Sequence, residues 1–500
     1  MLNNIFRFFK KNKTDIILVF ILLFFTYKAW NLLPQMTIRA DGFLYMFGTS
    51  HERFFNTPLF FTGFENSAMI FGYIFSKIYG VHLSLYYWTV LFVIVVINVL
   101  WYITIKKITK RSVVAFSAAL LFGVNYFGVY DMVSTHCYCF FLERIIPTVL
   151  LIPSFLFLHL FLEKKNMQFF IISILFYFLG VGLGHFTVLF TSFFLFYPIF
   201  WFIFNEKKIK KKMQGVVYSL SYLALSGFFI LIQQINESGL GPRKWGFFEF
   251  LLDPEKYMYV KKILLQYVYS SQYLSVLRNY IADSLQSFVD PLKAEMLVPY
   301  TVLVYIIAAV VIYKRLPKQR PMLFTVLFGT TVIFYLNAFF NQYDMLNFSG
   351  ANRYLYFPTF LLTIFWSYFL WAVFFQKKNL LAIVGIGLLV LYFFINSLLI
   401  EGNFRHELRW NKSTRAVFDY IIATRPTVSK NTLVITPYPE FGSQESTFFT
   451  EQLGIGEVRY MSIHNPDDVD TWEKQASASA HVIKIKYDKS CSCIVEEKIK

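Results

Sequence analysis

The chain has little charge for its length. Only 15% of its 500 residues are charged, and 30 acidic residues stand against 47 basic ones. Hydrophobic residues make up 56% of the sequence and aromatic residues 21%. Soluble domains carry about 25% charged residues. The composition therefore excludes a soluble globular protein and predicts an α-helical polytopic membrane protein, integral to a plasma or inner membrane.

Other absences narrow the function. No Walker or Rossmann glycine pattern occurs, so nucleotide hydrolysis is not a candidate. Internal repeats and low-complexity tracts are missing as well. The N-terminal apolar run is too long for a signal peptide and lacks a small-residue cleavage site, so we expect a retained membrane anchor.

Cysteine is scarce. The four cysteines form two Cys-x-Cys pairs, Cys137 with Cys139 and Cys491 with Cys493. Neither pair has the companion spacing of a zinc site, and no carboxylate cluster suits a harder cation. We therefore expect no metal and no cofactor. A disulfide between the two pairs and unpaired thiols both remain open.

Long hydrophobic runs are abundant. A helix that crosses a bilayer needs about 20 mostly apolar residues. Eleven segments approach or meet this length: 14–33, 83–104, 113–130, 144–162, 168–186, 187–204, 215–235, 297–313, 321–340, 356–375 and 380–400. The sequence thus predicts about eleven transmembrane helices.

Basic residues predict the orientation, because Lys and Arg gather in cytoplasmic loops. Basic clusters fall at the N-terminus and at alternate loops: 106–111, 164–165, 207–212, 314–320 and 377–378. This pattern places the N-terminus inside and the C-terminus outside. It also makes 34–82 and 236–296 long outer loops, with an interfacial helix expected over 60–79.

The formal net charge of +17 needs no nucleic-acid partner. Residues 402–500 contain thirteen basic and thirteen acidic residues, so the surplus lies in the predicted inner loops. There it fixes topology and meets anionic membrane lipid.

The last hundred residues differ from the rest. We divide the chain into a transmembrane domain, 1–401, and a small extracytoplasmic α/β domain, 402–500. Within the latter, the pattern predicts a helix from Ser413 to Thr424 and short strands. The strands are expected at 432–436, 458–463 and 482–485, with a further helix at 445–453.

Polar groups predicted near the outer membrane surface are few. They include Asp41, Arg39, His51, Asp131, Arg144, His185, Asn352, Arg353 and Tyr354. Ionisable residues at membrane depth usually face the bundle interior and mark a site. Arginines suit a lipid-linked phosphate, and a carboxylate suits deprotonation of an acceptor hydroxyl. Alternatively, each residue only anchors its helix end.

Several segments resemble membrane glycosyltransferases of the GT-C superfamily, notably O-mannosyltransferase-like members that carry tetratricopeptide repeats. Residues 349–358, SGANRYLYFP, are similar to the family's ERYLYLPS segment. Residues 56–59, 71–72 and 81–83 resemble its YRPL, LFG and YHL motifs, and 121–125 resembles LFALHP. The segment 406–414 is similar to a tryptophan-bearing stretch after the last span. The resemblance covers roughly residues 1–420; the repeats are absent.

The resemblance implies a GT-C-like fold and transfer of a sugar from a polyprenyl-phosphate donor, with inversion. Asp41 would be the general base, and Arg353, Tyr354 and Arg144 would bind the donor phosphate. Arg39, His51, Asp131, His185 and Asn352 would be further substrate-binding candidates. The sequence departs from the family where Gly42 follows Asp41 in place of a second acid, and where Asn352 replaces a glutamate. The acceptor would be a glycan, a lipid or a protein.

Three alternatives remain. A transporter or flippase for lipid-linked sugars would share the many spans, although such proteins tend to show inverted repeats. A polysaccharide polymerase or ligase would also use lipid-linked sugars, and the long loop 236–296 suits one. A non-enzymatic membrane scaffold is the third.

Overall fold

The computed structural model describes eleven stretches of the chain. They are residues 12–37, 64–125, 141–183, 190–236, 291–340, 356–376, 380–424, 431–437, 449–450, 458–463 and 478–498.

Helices dominate these stretches. In chain order they are α1 Lys13–Trp30, α2 Phe64–Tyr79, α3 Leu83–Thr109, α4 Ser112–Gly123, α5 Ile146–Lys164, α6 Met167–Leu183, α7 Thr191–Asn205, α8 Ile209–Asn236, α9 Pro291–Arg315, α10 Arg320–Phe340, α11 Tyr356–Leu370, α12 Leu380–Trp410 and α13 Lys412–Thr424. Short 3-10 turns cover Leu33–Gln35 and Pro317–Gln319, and π-helical turns cover Phe141–Ile145 and Trp371–Phe375.

Each of the eleven predicted segments contains one of these helices. Within the described part of the chain, six helical segments are long and apolar enough to cross a membrane: Lys13–Gln35, Leu83–Thr109, Ile146–Lys164, Ile209–Leu231, Tyr356–Phe375 and Leu380–Trp410. Three shorter apolar helices, α4, α6 and α7, accompany them. The protein is therefore an integral membrane protein. The number of crossings and the direction of the N-terminus stay predictions.

The basic turns lie at one end of the bundle, where ion pairs connect them. Lys106 pairs with Asp15 at the start of α1, and Lys110 Nζ lies 2.6 Å from Glu163 Oε1. Lys165 Nζ is 3.7 Å from Glu206 Oε1. We call this end, formed by the turns 106–111, 163–167, 205–211 and 315–320, the basic end.

The bundle interior is aromatic, with polar groups paired inside it. The rings of Trp101 and Phe360 lie 4.0 Å apart between α3 and α11. Tyr177 Oη lies 2.6 Å from both Thr191 Oγ1 and Ser226 Oγ. Such hydroxyl contacts satisfy polar groups that would otherwise be costly in apolar surroundings. They also hold α6, α7 and α8 in register.

Helix α12 continues beyond the apolar run that ends at residue 400. It extends without a break to Trp410, through the predicted boundary at 401/402. An ion pair between Glu401 and Arg405, with Nη2 and Oε1 2.7 Å apart, supports this turn, and Phe404 is fully buried. The change from bundle to C-terminal region is therefore not a break in secondary structure.

A four-stranded sheet follows, in the order β2-β1-β3-β4. The strands are β1 Thr432–Pro437, β2 Val458–Ile463, β3 His481–Asp488 and β4 Cys493–Lys498. β1 runs parallel to β2 and β3, and β4 pairs antiparallel with β3. Helix α13 and the first three strands agree with the predictions, whereas β4 was not predicted. The expected helix at 445–453 lies almost entirely outside the described residues.

Cys491 and Cys493 form a disulfide with each other. This corrects the two sequence-based options, a bridge to the other pair or free thiols, for this pair. Cys491 lies in the turn between β3 and β4, and Cys493 is the first residue of β4. Cys137 and Cys139 lie outside the described residues.

Candidate functional site

Arg144 is the one predicted site residue that falls in the described part of the chain. The others lie outside the described residues: Asp41, Arg39, His51, Asp131, His185, Asn352, Arg353 and Tyr354. Their predicted roles stay predictions. The described chain nevertheless fixes the helix ends from which these segments depart.

Arg144 lies in the π-helical turn Phe141–Ile145, just before α5. Pro147 occupies the first turn of α5, where its missing N–H costs no hydrogen bond. Arg144 is only 3% exposed, and its carbonyl accepts a hydrogen bond of 2.6 Å from Thr148 Oγ1. Because arginine keeps its charge when buried, this turn carries a buried positive charge.

Tyr356, the first residue of α11, connects that turn to the segment bearing Arg353 and Tyr354. Its hydroxyl donates to Thr148 Oγ1 at 3.4 Å, so one threonine links Tyr356 to the Arg144 turn. Tyr356 is fully buried, and its ring centroid lies 5.7 Å from that of Phe122 on α4.

The ends of α1 and α4 meet beside this contact. Trp30 Nε1, at the end of α1, donates to the carbonyl of Gly123 at 2.8 Å. Gly123 directly follows Phe122, the residue that packs on Tyr356. The chain leaving α1 leads to Asp41, and the chain leaving α4 leads to Asp131. The segment after α4 therefore starts next to α11, and the end of α1 contacts that end of α4.

Two further segments reach the same place. Phe190, which follows the segment containing His185, has its ring centroid 5.7 Å from that of Phe357. Phe75 on α2 lies 6.4 Å, centroid to centroid, from Phe141 in the Arg144 turn. Helix α2, predicted to lie in the membrane interface, therefore packs against the π-helical turn that precedes α5.

We call these residues the anchor cluster: Trp30, Phe122, Thr148, Phe190 and Tyr356. Phe122 and Tyr356 fall inside the motifs that carry the family resemblance, but no role was inferred for them. Thr148 and Phe190 carried no signal in the sequence, because their contacts join residues far apart along the chain. The anchor cluster lies opposite the basic end, since α11 runs from Tyr356 to the turn at Trp371.

Within the described stretches, no cluster of three or more His, Cys, Asp or Glu side chains could hold a metal ion. Both predicted acidic site residues, Asp41 and Asp131, lie outside these stretches, so the metal-free site stays a prediction.

Comparison with known proteins assigns no family. No protein-family model and no curated protein matches the sequence. A solved structure that is similar is the crystal structure of the Archaeoglobus fulgidus oligosaccharyltransferase in complex with Zn and sulfate. The two chains share 13% identity at a TM-score of 0.48, covering 94% of this chain and 68% of the other. A likeness this weak assigns neither fold nor activity.

Proposed function

We propose that the protein is a GT-C-type membrane glycosyltransferase. It transfers a sugar from a polyprenyl-phosphate donor to an acceptor hydroxyl at the extracytoplasmic surface. The observation that carries the proposal is the anchor cluster. It joins helix ends from which the chain continues into the segments that bear the predicted site residues. His51 lies in the middle of its segment, far along the chain from either helix end.

Chain length limits how far those residues can lie from the cluster. One residue spans at most about 3.6 Å of extended chain. Arg353 is three residues before Tyr356, so their Cα atoms are at most about 11 Å apart. Asp41 is eleven positions beyond Trp30, so their Cα atoms are at most about 40 Å apart. These limits are compatible with one shared cavity.

The chemistry follows from the residue types. The acceptor oxygen attacks the anomeric carbon of the sugar, and Asp41 takes the proton from that oxygen. The bond between the anomeric carbon and the phosphate oxygen breaks, and the lipid phosphate leaves with the electron pair. Arg144 and Arg353 stabilise the charge on the departing phosphate, where a low-dielectric site makes such contacts most effective.

Transfer of labelled sugar from a polyprenyl-phosphate donor, measured in membranes, tests this function. Asp41→Asn should lower the rate by about 10²–10⁴-fold, the usual contribution of a general base. Asp419→Asn is the matched control, because Asp419 is exposed on α13 and pairs only with Arg415 in the described structure. Equal rates for Asp41→Asn and wild type would remove Asp41 as the base.

The phosphate contacts need a separate pair of variants. Arg144→Gln and Arg353→Gln should each lower the rate, since each removes a cation from the leaving phosphate. Arg405→Gln serves as the control, because Arg405 lies on the exposed side of α12. If no transfer occurs with any donor while labelled lipid-linked sugar crosses the membrane, the protein is a flippase instead.

A further inference from the structure

A cavity of about 810 Å³ lies at the basic end, away from the anchor cluster. It is enclosed by the turn after α3, the last turn of α5, the turn between α9 and α10, and the π-helical turn after α11. Its volume falls within the range of about 300–1,000 Å³ typical of small-ligand sites. The proposed sugar transfer leaves this cavity unused.

Positive charge predominates around the cavity. Four cations line it, Lys110, Arg111, Arg315 and Lys318, together with a single carboxylate, Glu163. Lys110 pairs with that carboxylate. The remaining three cations therefore give the cavity an excess of positive charge.

Two of the cations are held in place by neighbouring groups. The Arg111 guanidinium stacks 4.4 Å from the centroid of the Trp371 ring. Arg315 Nη1 donates to the carbonyl of Ala372 at 2.8 Å. Their planar groups are therefore positioned before any ligand binds.

Two buried ring nitrogens point to a missing ligand. His159 is 3% exposed and lines the cavity. Its Nδ1 lies 2.7 Å from Tyr197 Oη, whereas Nε2 has no hydrogen-bond partner among the described residues and is 4.0 Å from Glu163 Oε2. The indole Nε1 of Trp371 is likewise buried without an acceptor there. Buried polar atoms normally have partners, so a ligand with acceptor oxygens would complete this cavity.

The location favours a lipid over a soluble anion. Trp201, Trp371 and Tyr368 line the cavity near the ends of apolar helices, and such aromatic residues concentrate where a membrane meets water. Basic pockets between membrane helices bind anionic lipid headgroups. We propose that this cavity binds the phosphate headgroup of an anionic phospholipid from the leaflet next to the basic end.

Titration calorimetry on the full chain, purified in an uncharged detergent, tests the proposal. The probe is dihexanoyl phosphatidic acid, compared with dihexanoyl phosphatidylcholine and with inorganic phosphate. We expect saturable binding of phosphatidic acid that is at least tenfold tighter than that of either comparison ligand. Absence of saturable binding, or equally tight binding of inorganic phosphate, would overturn the lipid assignment.

Paired lysine variants separate the cavity from general surface charge. Lys110→Gln with Lys318→Gln removes two cavity cations and should weaken phosphatidic acid binding about 25-fold, at about fivefold for each charge. Lys107→Gln with Lys314→Gln removes the same charge from the same two turns outside the cavity lining. All four lysines are exposed, so neither pair should impair folding. Equal weakening by both pairs would overturn the proposal.

Two single variants should change phosphatidic acid binding in opposite directions. Glu163→Gln removes the only carboxylate among the lining residues and should tighten binding about fivefold. Trp371→Phe keeps an aromatic ring but removes the N–H donor, and should weaken binding. If neither variant changes the affinity for phosphatidic acid, the headgroup does not enter the cavity.

Discussion

Gly123, the last residue of α4, leaves no room for a side chain. A Cβ atom built there would lie 2.6 Å from Cγ and 2.7 Å from Oδ1 of Asn98. Asn98 is fully buried and donates from Nδ2 to Thr26 Oγ1 at 3.0 Å. Gly123→Ala must therefore displace Asn98 and break that hydrogen bond, or move α4 away from α3.

The expected cost follows from these contacts. Overpacking a core costs about 1–3 kcal/mol, and a lost buried hydrogen bond about 1 kcal/mol. Alanine recovers less than about 1 kcal/mol relative to glycine at a helix end. We expect Gly123→Ala to lower the free energy of unfolding by about 2 kcal/mol. The carbonyl of Gly123 accepts from Trp30, so sugar transfer should fall as well.

Thermal unfolding of the purified full chain measures this effect. The control is Gly227→Ala, because a Cβ atom there would meet nothing within 4 Å. Its midpoint should match or exceed that of wild type, while Gly123→Ala unfolds several degrees lower. In an Asn98→Ala background the obstacle is gone, so Gly123→Ala should add little further loss. Equal midpoints for the two glycine variants, or strictly additive losses with Asn98→Ala, would refute the reasoning.

Three further predictions concern stability. Asp15 accepts hydrogen bonds from a tyrosine, a serine and a lysine of the α3–α4 region, so Asp15→Asn should lower the free energy of unfolding by about 2 kcal/mol. Tyr177→Phe should cost about 1 kcal/mol, since its two hydroxyl partners stay bonded to each other at 2.8 Å. Hydrogen bonds from the side chain and backbone N–H of Ser490 lower the pKa of Asp488 below its usual value. A carboxyl group whose pKa is lower in the folded protein stabilises the fold at pH values above its unfolded-state pKa, and this stabilisation is lost as the pH falls through its folded-state pKa. Asp488→Asn should therefore speed amide exchange in 493–498 at pH 7 and have no effect at pH values below the folded-state pKa.

Matched controls exist for these variants. Asp419→Asn removes an exposed carboxylate and should leave the unfolding midpoint unchanged, in contrast to Asp15→Asn. Tyr27→Phe changes a tyrosine that is 49% exposed and should be neutral beside Tyr177→Phe. An effect of Asp488→Asn that persists at acid pH would contradict the proposed role of its charge.

The helices could be predicted because their signal is local. Apolar runs of membrane-spanning length, separated by basic turns, predicted eleven segments, and each of them contains a helix. Helices α3 and α5 are capped at their C-terminal ends by Lys110 and Lys165, within clusters of lysine. Both residues adopt the left-handed conformation that ends a helix. Local sequence therefore determines where these helices start and stop.

Other features could not be predicted, for physical reasons. The contact between Tyr356 and Thr148 joins residues 208 positions apart, so it depends on packing of the whole bundle. Strand β4 carries Glu496, Glu497 and Lys498, and charged side chains are typical of an edge strand that must not pair further. Its sequence therefore lacks the apolar alternation on which strand prediction relies.

The unbroken length of α12 gives the sheet region a stiff connection to the bundle. Its 31 residues make a rod about 46 Å long, whereas the hydrocarbon core of a bilayer is about 30 Å thick. Near its middle, Tyr392 donates to the carbonyl of Leu121 at 2.8 Å, next to the anchor cluster. A force on the C-terminal sheet would therefore be transmitted along α12 to its contact with the end of α4. Tilting of α12 would shift the end of α4, from which the chain continues towards Asp131.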